Sequence, residues 1–130
     1  MNAIVSYSFK LAHMLVGPLL LLGDRLTAPR RVQRDPTAQA RIDAETRELV
    51  LYQFRSCPFC IKTRRAIRRL ALNIETRDAQ HHQPSRQQLL KCGGKLMVPC
   101  LRIAKPDGSM QWMYESNDII RYLESRFTGE

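Results

Sequence analysis

Acidic side chains are scarce: 12 Asp and Glu stand against 21 Lys and Arg, so the 130 residues carry a formal charge of +9. A pI near 10 would ordinarily point to nucleic acid or an acidic membrane surface. Aromatic residues are also few, with one Trp, four Tyr and four Phe, too sparse for a platform on which bases stack. No specific nucleic-acid partner is therefore expected. Cysteine is limited to four residues without a secretory framework, which fits a reducing, cytoplasmic compartment rather than a disulfide-stapled fold. No internal repeat or low-complexity tract is present, and the length allows one core and little else.

A long apolar run is nearly, but not fully, present. Residues 11–23 are almost entirely apolar, interrupted by His13, and Arg25, Arg30, Arg31 and Arg34 follow. A membrane span needs about 20 mostly apolar residues, and extension upstream brings in Ser6, Ser8 and Lys10. An exported leader is disfavoured because Lys10 is late and Ala28 is followed by Pro29. A shallow anchor on a membrane surface and a helix packed on the protein's own domain are weighed equally, ahead of a true span. Were the segment inserted, the basic residues after it would leave the rest of the chain on the cytoplasmic side.

What is present centres on Cys57-Pro58-Phe59-Cys60, two thiols one helical turn apart where a strand becomes a helix. Residues 49–54 are apolar, with the β-branched and aromatic types that suit a pleated sheet. Residues 61–71 lack Gly and Pro, and Ala66, Ile67 and Leu70 recur at helical spacing. Pro58 suits the first helical turn, which puts Cys57 at or beside the N-cap. Open N–H groups and the helix dipole favour a thiolate there, with Arg55 and Lys62 as nearby cations. Cys60, one turn further in, is placed to resolve a disulfide formed on Cys57.

The alternatives are half a zinc site or two ordinary core cysteines. Zinc normally needs a second ligand pair at recognisable spacing, and Cys92, Cys100 and the adjacent His81 and His82 do not supply one. No metal is expected, and the histidines read as a solvated turn. The basic residues Lys62, Arg64, Arg65, Arg68 and Arg69 read first as a solvated helix face.

The remaining pattern predicts an α/β order. Asp35-Pro36 opens a polar helix over residues 36–48, read as a connector between an extension at 1–34 and a domain at 49–130. Residues 73–78 alternate as a half-exposed strand parallel to the first. A short helix over 85–91 ends near Gly93-Gly94, a hairpin joins strands 98–103 and 110–114, and an amphipathic helix over 116–127 closes the chain. The order is β-α-β-α-β-β-α. Cys100 is expected in the core and Cys92 in an exposed loop.

A strand ending in Cys57-Pro58-Phe59-Cys60, then Val98-Pro99 opening a hairpin, then a final helix, resembles the glutaredoxin family of the thioredoxin-like superfamily. The likeness spans residue 49 to the C-terminus. It implies a cis peptide before Pro99 facing the active-site cysteine, and backbone pairing of Val98 with glutathione. In place of the family's Gly-rich segment stands Glu115-Ser116, similar to the Glu-Ser motif of glutathione S-transferase N-terminal domains. That motif implies recognition of the γ-glutamyl end, at a helix N-terminus suited to an anion. A complete transferase is not expected, because no large second domain follows.

The resemblance thus implies catalytic Cys57 and Cys60, with glutathione contacts at Arg55, Phe59, Val98, Pro99, Glu115 and Ser116. Arg55 matches the family's basic contact only approximately, since one residue rather than two separates it from the cysteine. Glutathione enters as co-substrate, and disulfide-bonded or glutathionylated proteins are the implied partners. An iron–sulfur carrier, or a non-catalytic glutathione-binding adaptor at a membrane, are the alternative readings.

Overall fold

The run at 49–54 becomes a strand buried on both faces, and this decides the layering. Its alternation sends Leu49 and Leu51 into one cluster with Ile67, Leu70, Leu101, Ile103, Ile119, Leu123 and Phe127. Val50 and Tyr52 enter a second cluster with Ala79, Leu89 and Cys100. A strand covered on both sides needs no polar face, which is why the run is continuously apolar. The computed structural model that shows this describes residues 16–23, 26 and 31–128.

The elements from residue 31 onward are α1 (Pro36–Thr46), β1 (Leu49–Gln53), α2 (Pro58–Arg69), β2 (Glu75–Asp78), α3 (Gln83–Gly93), β3 (Cys100–Ala104), β4 (Met110–Tyr114) and α4 (Ser116–Phe127). Their sheet order is β2-β1-β3-β4. β1 pairs in parallel with β2, whereas β3 is antiparallel to both β1 and β4. The result is an α/β domain with a central mixed sheet, helices on its two faces and a helical extension before it. Residues 16–23 are that extension's described helix. The expectations for residues 1–15 and 27–30 lie outside the described residues.

Three local outcomes differ from the sequence reading. First, α1 is more than a connector. Ile42 and Thr46 are buried, Gln39 donates to the carbonyl of Ala71 at 2.9 Å, and Arg34 reaches the carbonyls of Ala71 and Phe127, each at 3.3 Å. Second, α3 begins at Gln83 rather than 85, because His82 serves as N-cap and Pro84 falls in the first turn where its missing N–H costs nothing. Cys92 therefore sits in the last turn of α3 and is exposed, not in a loop. Third, β3 starts at Cys100 rather than 98, just past a cis Val98-Pro99 peptide bond.

The end of α3 depends on glycine. A Cβ on Gly93 would lie 2.6 Å from the Tyr114 hydroxyl and 3.0 Å from the Trp112 ring, so only a bare backbone admits β4's side chains there. Tyr114 uses that room to donate to the Gly93 carbonyl at 2.9 Å. Gly94 follows at φ 88°, the left-handed turn that ends many helices.

Candidate active site

Cys57 is the N-cap of α2, in extended backbone (φ −70°, ψ 127°), and Pro58 occupies the first turn. Its own N–H is held by the Phe54 carbonyl at 3.3 Å, and its carbonyl accepts from Ile61 at 2.9 Å. The side chain makes no capping hydrogen bond, so the amides of the first turn stay open to a sulfur or an anion. Cys57 is half-buried and Cys60 fully buried, both free thiols.

Burial separates the chemistry of the two. Removal from water pushes the Cys60 thiol up to about 12, and the adjacent Cys57 sulfur adds to this, against a lowering by the Phe54 N–H that points at Cys60 Sγ from 3.5 Å. Cys60 holds its proton at neutral pH. The half-exposed thiol at the helix start is thus the one that can attack, and the protonated one stands behind it.

A second helix start lies alongside. Ser116 is buried at the first turn of α4, and Glu115 is its N-cap, exposed, at φ 74° and again without a side-chain cap. A glutamate at positive φ costs on the order of 1–3 kcal/mol, a strain that clusters at ligand-holding positions. Lys62 of α2 donates to Asn117 of α4, which ties the second turn of α2 to the first turn of α4. The pairing of Tyr52 with Cys100 brings Pro99 to the end of β1 from which the Cys57 loop departs. Phe54 and Val98 both pack on the cluster beneath.

The other implied contacts fall around this centre. Phe59 is 60% exposed beside the cysteines. Arg55 is exposed and lines two cavities next to helical residues 17–22, neither of them lined by Cys57. Cys100 is in the core, as its pattern predicts, where burial pushes its thiol up to about 11. It sits against the Tyr114 hydroxyl, which burial and Cys100 push up to about 12. Among the described residues, no cluster of three or more His, Cys, Asp or Glu is arranged to hold a metal ion.

Two features carry no local signal in the sequence. One is the link from Lys62 to Asn117, 55 residues apart. The other is the seat of the N-terminal helix, whose Val16, Gly17 and Leu20 line a cavity of about 280 Å³ together with Phe54, Ser56, Cys57 and Pro58. A Cβ on Gly17 would meet Ser56 at 3.5 Å. Residues 16–23 thus lie against the domain, and among the described residues no helix is long and apolar enough to cross a membrane.

A mixed β2-β1-β3-β4 sheet, two cysteines at the mouth of α2 and a cis proline before β3 define a thioredoxin-like domain. Residues 51–130 match the family described as Glutathione S-transferase, N-terminal domain, and the chain belongs to that family. It is similar to a crystal structure of wheat glutaredoxin, with 18% identity over 72% of this chain and 87% of that one, TM-score 0.45. It is likewise similar to oxidised glutaredoxin 2 from Chlamydomonas reinhardtii, with 18% identity over 70% and 86%, TM-score 0.46. No curated protein sequence matches the chain.

Proposed function

We propose that the protein is a glutathione-dependent thiol–disulfide oxidoreductase that reduces glutathione mixed disulfides and protein disulfides in a reducing, cytoplasmic compartment. The observation that carries this reading is the asymmetry of the thiols: a half-exposed Cys57 at an uncapped helix start, with a buried, protonated Cys60 behind it.

The Cys57 thiolate attacks the glutathione sulfur of a protein mixed disulfide. The protein sulfur leaves as thiolate and takes a proton from water, and glutathione stays on Cys57. A second glutathione thiolate attacks that adduct at the glutathione sulfur, releasing oxidised glutathione and restoring Cys57. With a protein disulfide, Cys57 forms the mixed disulfide and Cys60, after giving up its proton, displaces the substrate thiolate. The resulting Cys57-Cys60 disulfide is reduced by two glutathione molecules.

Glutathione is held by the Val98 backbone beside Pro99, by Ser116 and the open amides of α4 at the γ-glutamyl carboxylate, and by Glu115 at its ammonium. Phe59 and Arg55 flank the tripeptide. The strained backbone of Glu115 supports this assignment, since a merely structural cap has no need of positive φ.

The test is turnover of a glutathionylated peptide by wild type, Cys57→Ser and Cys60→Ser. Activity surviving in Cys57→Ser would sink the proposal. Retention in Cys60→Ser with loss on protein disulfides is the expected pattern, because the first cycle uses one thiol and the second uses two.

A further inference from the structure

The helix over residues 16–23 presents two unlike faces. Gly17, Leu20 and Leu21 line cavities shared with the domain, at Ser56, Cys57 and Arg55. Leu19 lines none of these cavities and is 63% exposed; Leu22, at the rim of a further cavity, is 53% exposed, and Leu26, helical and on the same turn angle, is 77% exposed. Packing on the domain therefore satisfies half of the apolar surface and leaves a leucine stripe in water.

The ground next to that stripe is basic. A cavity of about 580 Å³ has Pro18, Leu21 and Leu22 on one wall and Arg55, Arg64, Arg68 and Gln53 on the other. An apolar stripe bordered by arginines is the composition of a helix that lies in the plane of an anionic bilayer, leucines among the acyl chains and guanidinium groups at the phosphates. A second copy of the chain fits less well, because pairing through this face would bring like-charged arginines together.

We propose that this face docks on the surface of an anionic phospholipid bilayer, with the leucine stripe immersed and the arginine-lined cavity at headgroup level. The helix that enters the surface also lines the cavity beside Cys57. Docking thus carries the thiol to the membrane, while binding itself needs no redox chemistry.

The experiment is flotation of the full chain with vesicles of phosphatidylcholine alone and of phosphatidylcholine with about 30% phosphatidylglycerol. The expected result is flotation with the anionic vesicles only, weakened by salt, and reduced roughly tenfold or more in L19E/L26E. Equal behaviour with both vesicle types, no flotation with either, or unchanged flotation of L19E/L26E overturns the proposal. A dimer in sedimentation equilibrium that L19E/L26E dissolves, with no vesicle binding, overturns it in favour of self-association. The variant keeps wild-type turnover of a soluble glutathionylated peptide, which shows that the fold is intact. Wild type that floats but does not turn over would leave this proposal standing while the oxidoreductase assignment fails.

Discussion

Two kinds of helix start coexist in this domain. α1 and α3 are closed by their own side chains: Asp35 accepts from the Ala38 amide at 2.7 Å, and His82 Nδ1 accepts from the Ser85 amide at 3.3 Å. α2 and α4 begin at Cys57 and Glu115 with no such bond. A side-chain cap is worth about 1 kcal/mol, so two helices forgo it where two others do not. Under the proposed function, the difference separates helices that serve the fold from helices whose open amides would receive a ligand. Packing offsets the loss, since α2 and α4 supply Ile67, Ile119, Leu123 and Phe127 to the main core.

That contrast can be broken first at Cys57. Replacement by Ser supplies the missing cap oxygen, so glutathione-dependent reductase activity should fall about a hundredfold or more while unfolding free energy rises by about 1 kcal/mol. Paired turnover and urea-unfolding measurements check it. A variant that is both inactive and destabilised would mean that the open cap is not a functional sacrifice.

Glu115→Gly probes the second open start. Glycine relieves the positive φ, so the urea midpoint should rise, while KM for glutathione rises roughly tenfold and kcat changes little. Unchanged KM would separate the strain from ligand binding.

The thiols behind the caps give a pH signature. Folded-state values of about 12 for Cys60 and about 11 for Cys100 stand above the ordinary 9.0, so the native chain keeps protons that an unfolded chain releases. Their contribution to stability is full below pH 9 and is lost as pH rises toward 11–12. Urea midpoints should fall across that window, less steeply in Cys100→Ala. Alkylation at neutral pH should label Cys57 and exposed Cys92 and spare the other two.

The smallest effect belongs to a closed start. Asp35→Ala should cost about 1 kcal/mol and leave turnover at the wild-type level. A matching loss of turnover would erase the distinction between the two kinds of helix.

Much of this domain is legible locally. The strand at 49–54, Pro58 in a first turn, the Pro106-Asp107-Gly108 turn and the final amphipathic helix each follow from a few adjacent residues, and all appear where their patterns put them. The second open start is legible only by likeness, because Glu115-Ser116 by itself also reads as an ordinary cap and no rule predicts φ 74° at a glutamate. The polar α1 misleads for a similar reason. Its burial rests on Ile42 and Thr46 and on Gln39 reaching Ala71, contacts made by partners distant in sequence. Arg77 and Arg102, which both donate to the Tyr52 hydroxyl at 3.1 and 3.4 Å, are invisible to any periodicity argument.

Arg34 carries a consequence for where the folding unit begins. Its guanidinium joins the end of α2, at Ala71 with its φ of 53°, to the last turn of α4 at Phe127, and Gln39 closes on the same Ala71 carbonyl. A fragment cut at residue 49, or at 51 where the family match starts, discards this clasp and bares two carbonyls that it had satisfied. A fragment that retains Arg34 should accordingly unfold at higher urea than one cut at 49, a difference that equilibrium unfolding of the two would measure.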